Sequence, residues 1–383
     1  MRSAHKFRFG YASIACALLA SAACSGPVGP AQDASSDASS SREDAPPRDE
    51  GSPIDVVIED RAAPVDAGVE QDASVADSAA RDASSGDSAS DAAIRLRDRY
   101  PLNARFPEGG TFDPSQSAFY VGSLGDGSVR RVDGASGAET TIFTETAAGR
   151  WWTLGMDIDV ARNRLWVCAM DDRSPSPRQG HVWVFDTTTH RRVANVALSA
   201  AAADATCTDV AVARDGNAYV CDREQGRIYR LSMGAAPTVF VRNDLLSGSF
   251  VGQNGITVLP DQTGLLSVVY GAPALVHIDL RDLSIRRVTI NGRFSDLRPL
   301  AGADGIAFAN GSAYVAFTSK LIRVTPTLAD WSRADSTNVD LPDGMTDVIA
   351  TPDGLYMLNG QAVRFALGTA TDPFALVRFV GAL

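Results

Sequence analysis

Histidine is nearly absent from this chain: four in 383 residues, at His5, His181, His190 and His277. None neighbours a cysteine at the spacing of a zinc site, which argues against structural zinc. The chain has no Gly-x-Ser-x-Gly elbow, no Walker loop and no dinucleotide fingerprint. Serine-elbow hydrolysis, P-loop chemistry and Rossmann-type cofactor binding therefore have no sequence support. Basic charge is also in the minority, with 35 Lys and Arg against 46 Asp and Glu, unlike a nucleic-acid binder. Between Ile94 and Leu383 no stretch keeps helical periodicity, so an α-rich fold is excluded.

That stretch instead holds a repeated strand pattern. Apolar strands recur as Ala118-Phe-Tyr-Val121, Arg164-Leu-Trp-Val167, Ala218-Tyr-Val220, Leu266-Ser-Val-Val269, Ala313-Tyr-Val315 and Leu355-Tyr-Met357. Turn residues precede several of them, as in Arg214-Asp-Gly-Asn217, Asn310-Gly311 and Pro352-Asp-Gly354. Six copies start near Glu108, Met156, Thr208, Asn254, Asp304 and Thr346, at the spacing of a four-stranded blade. The pattern predicts an all-β chain over 94–383, a six-bladed β-propeller, whose closure removes exposed sheet edges. A sandwich would not require six equivalent copies.

The N-terminus is of another kind. Arg2, Lys6 and Arg8 precede an apolar run from Gly10 to Ala23, too short to span a membrane and patterned as a signal peptide over 1–23. Ser21-Ala-Ala23 before Cys24 resembles the lipobox of bacterial lipoproteins, with Ser21 where Leu is usual. Ordinary cleavage at an Ala-x-Ala-like site is the alternative. A tether follows over 24–93, rich in Asp, Ser and Ala, too polar to offset the entropy of ordering. Residues 25–94 hold 16 acidic and 4 basic side chains, net −12, while everything after them is only −2. The acidity thus belongs to the tether, whose self-repulsion favours extension. The expectation is an exported protein of a bacterial cell envelope that meets the membrane through the Cys24 lipid alone.

Three cysteines fall within the repeats, in an oxidising compartment if export holds. Cys207 and Cys221 flank a predicted hairpin symmetrically, which permits a cross-strand disulfide. We read Cys168, Cys207 and Cys221 instead as small buried hydrophobes.

Glu108-Gly109, Asn254-Gly255 and Asp304-Gly305 open three different copies at the same register. Equivalent positions in a closed ring face one axis. Two carboxylates and an amide would converge there, a hard oxygen set suited to a divalent cation, calcium above all. As turn residues alone, Asn-Gly and Asp-Gly are common between blades, but Glu108 is not explained that way. From about Phe106 onward the chain resembles the senescence-marker-protein/gluconolactonase/luciferin-regenerating-enzyme superfamily. The resemblance is carried by Pro107-Glu-Gly109, Gln253-Asn-Gly-Ile256 and Ala303-Asp-Gly-Ile306. It implies a catalytic divalent metal on Glu108, Asn254 and Asp304, with Asp304 also assisting catalysis. The third blade of that superfamily usually carries Asn-Asp, where this chain has Thr208-Asp209.

Such a cation would polarise a lactone or ester carbonyl, with Asp304 as general base. Thr208, Asp209, Asp222, Arg223, Tyr270 and Phe317 are candidates for the surroundings of the site. The loop Asp171–Gly180, between second and third strands, is a candidate lid. The scarcity of His at the openings argues against a His-driven paraoxonase-like or quinoprotein mechanism. A second reading stands beside the hydrolase: a non-catalytic propeller that binds a protein or glycan through its top face, with calcium in a structural role.

Overall fold

The computed structural model describes residues 95–146, 151–171, 179–248, 251–296, 302–371 and 373–381. The signal peptide, Cys24, the tether and most of the 171–180 loop lie outside the described residues. The strands form six sheets that close into a ring, a six-bladed β-propeller. The innermost strands are Gly110–Asp113, Trp151–Asp159, Val210–Val212, Gln253–Val258, Ala303–Ala309 and Met345–Thr351, each packed on the next around the axis.

All six apolar runs form the second strand of a blade. They lie within Ala118–Val121, Arg164–Asp171, Ala218–Asp222, Gly264–Val269, Ser312–Phe317 and Gly354–Asn359. These strands read as continuous apolar runs because each is sandwiched between neighbouring blades, so both faces are dry: Ala118–Val121, Gly264–Val269 and Ser312–Phe317 are buried throughout. The outer strands Glu139–Thr144 and Arg333–Asp340 are largely wet and polar. At the Asn310-Gly311 hairpin both residues adopt positive φ, 47° and 75°, which only such a pair tolerates readily.

Three features differ from the sequence expectation. First, the sixth blade borrows its outer strand from the start of the ring: Arg99–Leu102 pairs antiparallel with Phe374–Arg378. A four-residue strand of mixed burial carries no closing signature that sequence could show. Second, the fifth blade has an extra strand, Thr289–Asn291, parallel to Arg333–Asp340. Third, Cys168 and Cys207 form a disulfide with Cα atoms 5.4 Å apart, while Cys221 is a buried free thiol. The buried-hydrophobe reading holds for Cys221 only, and the Cys207–Cys221 pairing is replaced. Cys207 lies at the entry to blade 3 and faces the second strand of blade 2, so the bond joins two blades.

Candidate functional site

In four blades the innermost strand carries a register irregularity at the same place: between Thr153 and Met156, Gln253 and Ile256, Ala303 and Ile306, and Met345 and Asp347. In blades 1 and 3 the matching residues lie at the strand entry, where Gly122 N donates to Gly109 O and Cys221 N donates to Asp209 O. Six equivalent dipeptides result: Glu108-Gly109, Leu154-Gly155, Thr208-Asp209, Asn254-Gly255, Asp304-Gly305 and Thr346-Asp347. The second copy therefore opens at Leu154, two residues before the Met156 expected from sequence. Bulges of this kind re-aim side chains, here into the channel.

The second residues form a frame. Asp209 accepts hydrogen bonds from Ile256 N of the next blade (2.9 Å) and from Val210 N (2.8 Å). Asp347 does the same with Gly110 N (2.9 Å) and Val348 N (2.8 Å). Asp157 links Val212 N and Ile158 N, each at 2.7 Å. These carboxylates bridge innermost strands that share no ladder. Glycine is required beside two of them. A Cβ on Gly155 would stand 2.0 Å from Asp209 Oδ1, and one on Gly305 1.9 Å from Asp347 Oδ1.

The first residues form the lining. Glu108, Asn254 and Asp304 border a constriction of about 10 Å³, room for one water-sized or ion-sized occupant. Thr208, Asp209, Thr346 and Asp347 border it too. The same Glu108, Asn254 and Asp304 floor a chamber of about 140 Å³ above. Asp209 and Asp347 are shared with a polar channel of about 220 Å³ below. Asn254 Nδ2 donates to Asp304 Oδ1 at 2.5 Å.

This carboxylate cluster is electrostatically loaded. Burial, then the neighbouring charges of Glu108, Asp347 and Asp209, hold Asp304 well above the carboxylate range. Burial and Asp347 push Glu108 up to about 8 against the opposing pull of Arg223. Burial raises Asp347 to about 7 in spite of its two backbone donors. Asp209 is likewise held high by burial, then Asp347. Asp304 is buried and Glu108, Asp209 and Asp347 are half-buried, so four carboxyls crowd one small space and oppose one another's ionisation, which a cation there would relieve.

The donor set fits a hard dication. Glu108, Asn254 and Asp304 offer oxygens, and half a turn of the Asn254 amide would exchange its donor for an acceptor. Among the described residues no three His, Cys, Asp or Glu side chains group as a metal site, and here two carboxylates stand beside one amide.

Leu124, Trp152, Leu154 and Val251 line the chamber, together with the short helix Ala362–Ala366. That helix lies in the loop 360–373, between second and third strands of the sixth blade. Phe365 on it stacks on Phe106, ring centroids 4.4 Å apart, and Arg364 pairs with Asp343. This helix covers the chamber from blade 6; the blade-2 loop read as a candidate lid lies mostly outside the described residues.

Of the expected surroundings, Arg223 and Tyr270 line the chamber, and the Tyr270 ring packs against Gly302, where a Cβ would come within 2.4 Å. Thr208 and Asp209 line the constriction. Asp222 and Phe317 do not belong to either. Asp222 is fully buried, receiving Arg227 Nε (3.0 Å), Tyr229 OH (2.7 Å) and Thr206 Oγ1 (2.6 Å). Asp222 is the last residue of the strand Ala218–Asp222 and is turned to these inner partners, whereas Arg223 begins the turn that follows. Phe317 is a fully buried core residue against Phe294. Sequence reasoning missed Asp347, although Thr346-Asp347 repeats Thr208-Asp209 letter for letter. It also missed Trp152 and the helix.

Solved structures share this fold. The major allergen Mala s 1 of Malassezia sympodialis matches with a TM-score of 0.59 at 18% identity, over 74% of this chain and 96% of that one. A gluconolactonase from Xanthomonas campestris matches at 0.52 and 16% identity, over 75% and 91%. Regucalcin from Agrobacterium tumefaciens, a calcium-binding protein, matches at 0.50 and 15% identity, over 73% and 92%. The ring is thus the six-bladed fold that the sequence resemblance implies, and at these identities the likeness speaks for fold rather than chemistry. No family model matches the sequence, and no curated protein matches it either.

Proposed function

We propose that this chain is an exported, lipid-anchored propeller that holds calcium on Glu108, Asn254 and Asp304 and hydrolyses a lactone or ester above it. One observation carries the reading: a carboxylate, an amide and a second carboxylate from three blades line one ion-sized constriction beneath a lidded chamber. When bound, the cation would polarise a carbonyl and neutralise the buried charge. Asp304 in its ionised form takes the proton of the attacking water. Arg223, on the chamber wall, offers positive charge to the carboxylate that hydrolysis releases. The blade walls and the helix limit competing water. Isothermal titration with calcium, followed by a lactone and ester panel with and without chelator, tests the proposal. Absence of both binding and turnover ends it.

A specific residue favours the second reading. Thr208 stands where the superfamily usually carries Asn, so a site that binds calcium but turns nothing over would act as the core of a propeller whose top face binds protein or glycan. Binding without metal-dependent turnover selects it.

Export and anchoring rest on the charged, apolar and small-residue succession that ends at Cys24. Mass spectrometry of the mature N-terminus should find an acylated Cys24. Any other first residue contradicts the anchor.

A further inference from the structure

The chamber above the carboxylates is walled by hydrocarbon. Leu124, Trp152 and Leu154 are at most 8% exposed and continue into the main core of blades 2 and 3, with Phe365 packed against them. Val251 and Ala366 complete the apolar wall. Polar groups are confined to the floor of Glu108, Asn254 and Asp304 and to Arg223 and Tyr270. A polyhydroxylated ring placed here would set its hydroxyls against carbon, and each one left without a partner costs on the order of tenfold in affinity.

We infer that the substrate is an amphiphilic lactone or ester, with its carbonyl on the carboxylate floor and an apolar substituent against Leu124, Trp152, Leu154 and Phe365. This rests on the hydrolase reading and adds the substrate class to it. The chamber volume, about 140 Å³, sets the size of that substituent. A dry cavity of ~150 Å³ lined by aliphatic and aromatic side chains takes up one benzene. The substituent is accordingly one small ring or a short alkyl chain of ~4–6 carbons. Longer chains must leave past the helix Ala362–Ala366, where Leu367 is half exposed. The asymmetry of the walls also orients the ligand, since Leu154 faces the chamber at the register where Asp304 does from a later blade.

The test uses the full chain with calcium and a series of γ-alkyl lactones from γ-butyrolactone upward, with glucono-δ-lactone as the hydroxylated comparator. kcat/KM should rise about fourfold per added methylene, the equivalent of ~0.8 kcal/mol, and level off after ~4–6 carbons. Leu124→Asn and, independently, Phe365→Ala should flatten that rise. Turnover that is indifferent to chain length, or that favours glucono-δ-lactone, overturns the inference and leaves the hydrolase reading intact. If no lactone or ester is turned over, the hydrolase reading fails and the substrate class with it, and calorimetry with cyclohexanol then decides whether the chamber is an apolar binding site. Saturable binding weakened tenfold or more by either substitution supports an apolar site, and no binding overturns it.

Discussion

The two halves of the ring repeat one another incompletely. Blades 1–3 open on Glu108-Gly109, Leu154-Gly155 and Thr208-Asp209; blades 4–6 open on Asn254-Gly255, Asp304-Gly305 and Thr346-Asp347. The second residues read Gly, Gly, Asp in both halves. They do the same work in both: each Asp bridges to the next blade, and the glycine before it in the ring leaves room for the carboxylate. The first residues match only at Thr. Where the first half has Glu and Leu, the second has Asn and Asp. Repeated positions thus hold the ring, and the unrepeated ones give the channel its chemistry.

The largest effect should come from the most unequal pair, Leu154 and Asp304. Asp304→Asn removes a charge and the proposed base while keeping the shape, and it should cost about 10²–10⁴-fold in kcat. Leu154→Ala, at the matching position, should change kcat less than tenfold, because it removes packing and no reacting group. Steady-state kinetics on one lactone compares them, and equal losses would show that the two positions are not distinguished by chemistry.

The halves are also held together differently. Cys168 and Cys207 are bonded across blades 2 and 3. Their counterparts in register, Ala316 and Met345, sit within one apolar cluster between blades 5 and 6. Closing a loop of 39 residues corresponds to about 4 kcal/mol in the chain-entropy account. Urea unfolding of Cys207→Ser, or of the reduced protein, should lose a stability of that order. An unchanged midpoint would mean that packing alone suffices in the first half, as it does in the second.

Both halves place carboxyls at the constriction, and this sets a pH dependence. Burial raises Asp157 to about 6, Asp347 to about 7 and Glu108 to about 8, and holds Asp209 and Asp304 higher than the usual range. The fold therefore binds more protons than the unfolded chain. Its stability is fully present below the unfolded carboxylate pKa and is lost as pH rises through these values, by about 1.4 kcal/mol per pH unit for each proton retained. His190 and His277, held low by burial, act the other way near neutrality, but they are two against five. Without calcium, Tm should fall from pH 5 to pH 8. Calcium favours the ionised cluster, so it should raise Tm more at pH 8 than at pH 5. A calcium shift that is larger at pH 5 would contradict a carboxylate site.

Much of this was legible in the sequence, for definite reasons. The second strands stood out because burial on both faces forces apolar runs such as Ala118–Val121. Glu108, Asn254 and Asp304 stood out because register in a closed repeat becomes position on an axis. What stayed hidden depends on partners far along the chain. The strand Arg99–Leu102 has meaning only beside Phe374–Arg378. Asp222 was misread because its partners Thr206, Arg227 and Tyr229 meet it only in the folded blade. Asp347 was overlooked because the resemblance marks such a pair only in the third blade, and its role emerges only with Gly110 N at 2.9 Å.

The smallest effect should separate the two threonines. Thr346 Oγ1 lies within hydrogen-bond distance of Pro107 O (3.3 Å) and Leu358 O (3.2 Å), its one proton shared between them, so it is engaged with the frame. Thr208 is equally buried, yet its Oγ1 has no hydrogen-bond partner among the described residues, although it borders the constriction. A buried hydroxyl in that position costs free energy unless something in the channel meets it. Thr208→Asn restores the amide that the resemblance places there and adds a longer oxygen donor toward the same space. Calcium affinity by isothermal titration should tighten by about threefold to tenfold, the size of roughly one ordinary hydrogen bond. Thr346→Asn instead breaks two frame contacts and should lower stability by about 1 kcal/mol without tightening calcium. If both substitutions change calcium affinity alike, the two halves are equivalent at this position, and Thr208 is a frame residue like Thr346.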